Sequence, residues 1–365
     1  MQKSVAQFAA AHVASRSDLI SAQHFPADLW RAMGKAGLFQ IAISEAYGGS
    51  GGGYPELVSA GEALVRYGLN LGVAFSWAYQ QIIARCLIDR FAPPQLKQHL
   101  MPKLAEGDII VSFAVSEPGH GAHPKKLQTR AVRRHRSFVL DGEKTYLTNG
   151  PMADLFIVIA VTDADPSCRR LTAFLVDRRT PGVTLPPPMA MPALKTSPHG
   201  GLRLNACLLP SEAVLGPEGN AWMDMVIPMG EIEDIAMMGP VLGGMEAQMD
   251  ALIQGLAVSQ DAADRELYQD LGRLHAILQT LRLIAADAAA RLEKTGEAAM
   301  TAAISFARLV SDFQDALGRC LARRQVEWPE AIGVLKQDVE FLGRLRQKLL
   351  QIRQEKIGAA LLASR

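Results

Sequence analysis

The chain has 365 residues, more than one hydrophobic core usually supports, so two or three packed units are expected. Hydrophobic residues make up 49% and charged residues 21%, as in globular proteins, and a formal charge of +1 provides no long-range field for nucleic acid. No apolar run approaches the ~20 residues that span a bilayer, and the first residues lack a signal-peptide core, so we expect a cytoplasmic protein without a membrane segment.

The cysteines and the closely spaced histidines predict no metal site and no disulfide framework. The four cysteines are scattered without paired spacing: Cys86, Cys168, Cys207 and Cys320. His120 and His123 have the spacing H-x-x-H, but no acidic or thiol residues surround them. A loop conformation is therefore the prediction for this pair.

The first part of the chain has a helical pattern up to about Gly107. Apolar residues recur at helical spacing in residues 29–38 and 57–67, and the glycine-rich segment YGGSGGGY at residues 47–54 separates helical stretches. The pattern predicts an all-α N-terminal domain over residues 1–110.

The middle of the chain changes to short β-rich runs. These runs are FVLDGEK at residues 138–144, LFIVIAVT at 155–162, LTAFLVD at 171–177 and LRLNACLL at 202–209. Turn signals such as Asn149-Gly150 and Pro181-Gly182 separate them. The pattern predicts a small antiparallel β-barrel or sandwich domain over residues 111–220.

The last part of the chain, from about Trp222, carries four apolar stripes with alternating steps of three and four residues. The stripes are Ile235, Met238, Leu242, Met245, Met249, Leu252 and Leu256; Leu271, Leu274, Leu278, Leu281, Ala285, Ala288 and Leu292; Phe306, Val310, Phe313, Leu317 and Cys320; and Ile332, Leu335, Val339, Leu342, Leu345, Leu349 and Ile352. Four amphipathic helices bury their stripes most simply against one another. We predict a C-terminal four-helix bundle over residues 221–365, and an α+β fold class for the chain.

Two segments carry a resemblance to a known family. The first is FAVSEPGHG at residues 113–121, and the second is LDGEKTYLTNGPMAD at residues 140–154. In this order and at this separation they closely resemble the two middle-domain signatures of acyl-CoA dehydrogenases. EAYGGSGGG and LTAFLVD…TPGV also match, so the resemblance covers residues 25–216.

The resemblance implies a flavoprotein that binds FAD and oxidises an acyl thioester. Such chemistry needs a flavin ring fixed by hydrogen bonds along one edge, with its reactive nitrogen open to the substrate. By resemblance, five residues of the two signatures border the isoalloxazine ring: Val115, Ser116, Tyr146, Leu147 and Thr148. The alternative for isolated residues is that Ser116 and Thr148 cap turns and that Tyr146 belongs to the core.

Oxidation of an acyl thioester also needs a carboxylate that removes the α-proton. Most members of the family carry this Glu in a C-terminal segment, but the corresponding stretch here, QKLLQIRQEKIGAALLASR, lacks it. A minority of members, including isovaleryl-CoA dehydrogenases, place it on the first bundle helix, ten residues before the Gly of a Leu-Gly pair, where this chain has Glu233 and Gly243. Helical spacing puts Glu233, Met237, Pro240 and Gly244 on one face. The alternative is that the acidic residues favour a helix N-terminus through its dipole.

Departures from the family pattern affect the substrate loop and the ADP half of FAD. After Gly121, the usual Ser-Asp of the substrate loop is replaced by Ala122 and His123. By resemblance, Gly121, Ala122 and Met237 are predicted to contact the substrate. In the family, an Arg followed by Phe-Gly reaches the FAD of a neighbouring subunit, and here that stretch reads QGLAV at residues 254–258. A Gln-containing Gly-Gly loop contacts FAD across the dimer in the family, and here LGRCLARRQVEWPE occupies that region. The ring contacts are kept, while contacts to the ADP half are reduced.

Three functions are compatible with these observations. The first is a dehydrogenase for an acyl-CoA or acyl-carrier substrate, which passes electrons to a separate carrier flavoprotein or to oxygen. The second is a non-catalytic or half-site subunit that supports an active homologous partner. A third is flavin-dependent hydroxylation with oxygen. The family implies a homodimer or tetramer, and the second function implies a hetero-oligomer.

Overall fold

The computed structural model describes residues 2–163, 169–259 and 264–363. Helices form the N-terminal part, an eight-stranded sheet forms the middle, and long helices form the C-terminal part. This order confirms the predicted α+β class, with helices, then a β domain, then a helical bundle.

The N-terminal helices are α1 (Gln2–Ala9), α2 (Asp18–Ser21), α3 (Ala27–Lys35), α4 (Tyr54–Gly68), α5 (Leu71–Ile83), α6 (Asp89–Phe91) and α7 (Pro94–Glu106). Helix α7 shows how local sequence sets both ends. Pro94 occupies its first turn, where a missing N–H costs nothing. Gly107 follows its last residue with φ of 77°, a left-handed conformation that glycine adopts without strain.

The strands are β1 (Val111–Ala114), β2 (Arg130–Arg134), β3 (Ser137–Thr148), β4 (Leu155–Asp163), β5 (Arg170–Asp177), β6 (Val183–Thr184), β7 (His199–Pro210) and β8 (Val214–Leu215). Their order in the sheet is β6-β7-β3-β2-β4-β5-β8, and β1 pairs with β4. Most pairs are antiparallel as predicted, whereas β4 pairs in parallel with β1 and with one residue of β2. The four predicted runs became β3, β4, β5 and β7. The core of the sheet is centred on Phe138, Phe156 and Phe174.

The C-terminal helices are α8 (Ile227–Ala236), α9 (Met238–Ser259), α10 (Arg265–Thr295), α11 (Met300–Arg324) and α12 (Glu330–Ala363). Three of the predicted stripes are largely buried, while the fourth is buried only from Ile332 to Leu342. Leu345, Leu349 and Ile352 are 63%, 43% and 42% exposed. Helix α12 has 34 residues and α11 has 25, so at 1.5 Å per residue α12 is about 14 Å longer.

The described residues form two compact units that alternate along the chain. One comprises the described parts of residues 1–21, 54–74 and 234–365, and the other those of residues 22–53 and 75–233. The division into domains at residues 110 and 220 stays a prediction.

Within the first unit, α4 and α9 approach closely through glycines. A Cβ atom added at Gly239 would collide with the carbonyl oxygen of Val58, and one added at Gly243 would collide with that of Glu62. Helix backbones can come this near only where side chains are absent. The sequence MGPVLGG therefore sets the position of the start of α9 against α4.

Other expectations from composition concern the cysteines, metals and membranes. Cys86, Cys207 and Cys320 are free and buried, while Cys168 lies outside the described residues. Within the described ranges, no group of three or more His, Cys, Asp or Glu residues could hold a metal ion. A search of the same ranges found no helix long and apolar enough to cross a membrane.

Candidate functional site

The two signature segments meet in the second unit. The Thr145 backbone N–H donates to the Ser116 carbonyl at 2.9 Å. The Lys144 ammonium donates to the Val115 carbonyl at 3.0 Å. These two bonds join segments about 30 residues apart in sequence and hold their backbones at fixed separation. We call Val115, Ser116, Tyr146, Leu147 and Thr148 the ring platform.

A buried ion pair lies beneath the ring platform. Lys144 and Glu117 are 0% and 4% exposed, and the Lys144 Nζ atom lies 2.9 Å from Glu117 Oε1. The same carboxylate accepts backbone N–H bonds from Gln128 at 2.6 Å and Thr129 at 2.8 Å. Three donors therefore point at this carboxylate, and such pairing is the condition under which a charge is tolerated in a protein interior.

The pKa values of this pair keep both groups charged at neutral pH. Burial lowers the pKa of Lys144 to about 8, against the opposing effect of the Glu117 charge. Burial alone would raise the pKa of Glu117, but the Lys144 charge and the hydrogen bonds from Thr129, Lys144 and Gln128 lower it overall. The pair therefore acts as an ionic clamp between the two signatures.

A β-bulge turns Tyr146 outward. The register between β3 and β7 shifts between Lys144 and Leu147, so the bulge re-aims the side chains that follow. Tyr146 has φ of 57° and is 58% exposed, while Leu147 is 1% exposed in the sheet core. A left-handed conformation at a bulky residue costs about 1 to 3 kcal/mol and is typical of functional segments. Tyr146 is therefore not a core residue, in contrast to the structural alternative for this position.

Thr148 is held on both sides at the end of β3. Its carbonyl accepts from the Ser112 hydroxyl at 2.7 Å, and its own hydroxyl lies 3.2 Å from Nε2 of His199. The β3–β7 register pairs Thr148 directly with His199, which explains this contact. The Thr148 hydroxyl thus contacts an imidazole on the neighbouring strand, in contrast to the turn-capping alternative.

The predicted substrate loop is a tight turn next to the clamp. The Glu117 backbone N–H donates to the Gly121 carbonyl at 3.1 Å, and the Gly121 N–H donates back to the Glu117 carbonyl at 3.0 Å. Gly121 has φ of 60°, a conformation that favours glycine. Ala122 is exposed beyond this turn. The turn thus projects from a fixed base and leaves its tip accessible.

The structure places the predicted base and Met237 in different surroundings. Glu233 is half-buried on α8. Met237 is 3% exposed and lines a cavity of about 70 Å³ among α8, α9, α11 and α12. Asp234 also lines this cavity and forms a buried ion pair with Arg353 of α12. The lining includes Met237 and Asp234 but not Glu233.

The ring platform suits the isoalloxazine end of FAD. Tyr146 offers an exposed aromatic surface. Ser116 is half-buried, and its hydroxyl makes no hydrogen bond within the described part of the chain, so it is available to a polar ring edge. Both groups stand on backbone that the Lys144 clamp fixes, which is the rigid support that a cofactor edge needs.

Sequence reasoning missed three residues of this site: Glu117, Lys144 and His199. Glu117 and Lys144 lie inside the two signature segments, and their opposite charges were the one sequence signal for a pair between these segments. His199 lies 51 residues from Thr148, and only strand pairing brings the two together. No local pattern could have predicted that contact.

Two family models match the chain. The acyl-CoA dehydrogenase N-terminal domain matches residues 1–108, and the acyl-CoA dehydrogenase middle domain matches residues 112–207. These ranges contain the ring platform and the substrate loop but not Glu233. The C-terminal helices lie outside both matches.

Similar proteins share these regions. A 2-methylacyl-CoA dehydrogenase from Solanum tuberosum is 32% identical over 255 residues, which covers 69% of this chain and 61% of that protein. An L-prolyl-[peptidyl-carrier protein] dehydrogenase from Pseudomonas fluorescens is 31% identical over 236 residues, covering 64% of this chain and 61% of that protein. A solved structure of PigA with FAD and proline has a TM-score of 0.84 at 20% identity, covering 99% and 96% of the two chains.

Proposed function

Because the chain belongs to the acyl-CoA dehydrogenase family, we propose that it uses FAD to oxidise an acyl thioester to its α,β-unsaturated product. The observation that supports this most is the ring platform, in which a bulge turns Tyr146 outward from backbone fixed by a buried ion pair. Strained backbone clusters at functional sites, so an exposed tyrosine in this conformation supports a binding role for Tyr146.

In the proposed reaction, Glu233 removes the α-proton of the acyl group. Its carboxylate takes the proton, and the C–H electron pair becomes part of the new carbon–carbon double bond. FAD supplies the acceptor for the hydride that leaves the β-carbon. Glu233 is half-buried on α8, so its carboxylate keeps partial access to its surroundings.

The acyl group is carried by CoA or by a carrier protein. The similar proteins include both a 2-methylacyl-CoA dehydrogenase and an L-prolyl-carrier dehydrogenase, so their names favour neither carrier. We assign Gly121 and Ala122 to the thioester chain because the turn that holds them projects beside the ring platform's backbone. Met237 stays a predicted acyl contact. The same proposal includes a separate flavoprotein that accepts the electrons, assembly of the chain as a homodimer or tetramer, and a cytoplasmic location.

The test is the visible absorption of the purified full-length chain with added FAD, followed by anaerobic addition of thioesters. The panel comprises straight and branched acyl-CoAs and an aminoacyl thioester on a carrier protein. We expect stoichiometric flavin that bleaches with one thioester. Glu233→Gln should still bind FAD, but its rate of bleaching should fall by about 100-fold or more, which is the effect expected when a general base is lost. Glu231→Gln, on the same helix, is the matched control and should bleach normally.

A second function has one specific observation in its favour. Helix α12 runs unbroken from Glu330 to Ala363, through the stretch where the family resemblance would place the usual catalytic Glu. Within it, Arg353 is buried against Asp234. Such a chain could serve as a non-catalytic subunit of an active homologue. Failure of the wild-type chain to bind FAD in the same titration would overturn the dehydrogenase proposal and support this one.

A further inference from the structure

His199 sits at the point where the ring platform ends. It opposes Thr148 across β3 and β7, with its Nε2 atom 3.2 Å from the Thr148 hydroxyl oxygen. Its Nδ1 atom lies 2.8 Å from the Ser197 carbonyl. Both ring nitrogens therefore have a partner, and the imidazole plane is fixed between them.

The partners decide which nitrogen carries the proton. A backbone carbonyl can only accept a hydrogen bond, so Nδ1 must be the donor to Ser197. The ring is 7% exposed and lies beside the Phe75 ring, with centroids 6.1 Å apart. Burial lowers the pKa of His199, so the imidazole is neutral at neutral pH. A neutral ring with its proton on Nδ1 leaves Nε2 as an acceptor, and the Thr148 hydroxyl must donate to it.

We infer that His199 fixes the direction of hydrogen bonding at Thr148, so that a flavin bound at the ring platform meets an acceptor oxygen there and not a donor. This role for His199 as a positioning residue rests on the proposed function, because it assumes that Thr148 borders the cofactor. The hydroxyl proton is committed to His199, and only the oxygen lone pairs remain for a ligand.

The direction has a consequence for the redox state that the site favours. An oxidised isoalloxazine ring presents an unprotonated N5 that accepts hydrogen bonds, whereas the reduced ring presents N5–H, which donates. We take N5 as the ring atom that faces Thr148, and there an acceptor oxygen matches the reduced ring and opposes the oxidised ring. Hydrogen bonds to ring nitrogens are one of the means by which proteins tune a flavin. His199 thus shifts the site toward the reduced cofactor.

The first test needs no FAD. Nitrogen-15 NMR of the histidine rings in the full-length chain distinguishes the two neutral tautomers and the charged ring, and His199→Phe identifies the signal. We expect a neutral ring with the proton on Nδ1, and a change in the Nε2 shift in Thr148→Val. A ring protonated on Nε2, whether neutral or charged, would overturn the inference.

The second test compares dissociation constants for oxidised and reduced FAD. In His199→Phe the Thr148 hydroxyl can rotate and donate, so we expect the preference for reduced FAD to fall by about tenfold, the effect of one hydrogen bond. For a two-electron couple this lowers the midpoint potential by about 30 mV. With Thr148→Val already present, His199→Phe should change nothing further. A merely structural role would give the same loss in both backgrounds.

Two further variants serve as controls for the second test. His199→Gln can place its amide oxygen near the Nε2 position and should keep part of the preference for reduced FAD. His24→Phe replaces an exposed histidine of the same unit and should match the wild type. A wild-type chain without FAD affinity would overturn the proposed function and this role together. Normal FAD uptake with an unchanged preference in His199→Phe would overturn this role alone.

Discussion

The region around the ring platform buries charged groups, whereas the second half of α12 exposes apolar groups. At the platform, a lysine that is 0% exposed is matched by a carboxylate with three hydrogen-bonding partners, Lys144, Gln128 and Thr129. On α12, the apolar stripe is buried as far as Leu342, and Leu345, one turn later, is 63% exposed. The first region is complete within one chain. In the second, apolar side chains face outward although their spacing is that of a core.

This difference shows which part of the chain is specified fully by contacts among its own residues. Every charge at the platform has its partner in the same unit, so the geometry there is determined by this chain alone. On α12, the apolar stripe beyond Leu342 keeps its helical spacing, but Leu345, Leu349 and Ile352 are exposed. The platform should therefore respond to mutation as an interior, and the exposed stripe of α12 as a surface. Three measurements separate these cases.

The largest effect is expected for Lys144→Met. It leaves the Glu117 carboxylate buried without its counter-charge, which costs about 3 to 5 kcal/mol of unfolding free energy. Urea unfolding followed by circular dichroism measures this loss. Lys144→Met with Glu117→Gln removes both charges and should recover most of it. Arg179→Ala, which breaks an exposed pair with Asp177, should leave stability unchanged. A small loss in Lys144→Met would show that the pair is open to water.

The next largest effect is expected for a matched pair of substitutions on α12. Leu342→Ala removes a side chain that is 4% exposed and should cost about 2 to 5 kcal/mol. Leu345→Ala removes one that is 63% exposed and should stay within about 0.5 kcal/mol. Chemical unfolding at low protein concentration gives both values. Equal losses would show that the stripe beyond Leu342 is covered in solution and would remove the contrast between the two regions.

The smallest effect is the pH dependence of the ionic clamp. The pKa of Glu117 is below its ordinary value of 4.5 in the folded chain, so the unfolded chain binds more protons as the solution is acidified. The stabilisation is complete above this ordinary value and is lost as pH falls through the folded pKa. As pH falls from about 5 to values below 4.5, wild-type stability should fall more steeply than that of the double variant without the pair. Parallel slopes would contradict the assignment.

Much of the fold was predictable because it depends on local periodicity. The four β-rich runs became β3, β4, β5 and β7, and the four apolar stripes, with their steps of three and four residues, lie mainly on α9 to α12. The short strands β1, β6 and β8 were not predicted, since two to four residues carry too little periodic signal. The segment that became β2, RAVRR, has three charged residues in five, so hydrophobic alternation could not mark it as a strand.

The sequence by itself determined the family, the order of helical and β parts, and the two signature segments that form the ring platform. Only the tertiary structure decided that Lys144 and Glu117 clamp these segments, that a bulge turns Tyr146 outward, and that His199 meets Thr148. It also decided where the α12 stripe stops being buried. The physical reason is that spacing along the chain fixes which face a side chain takes. Strand register and helix length fix what that face meets, and these depend on residues far away in sequence.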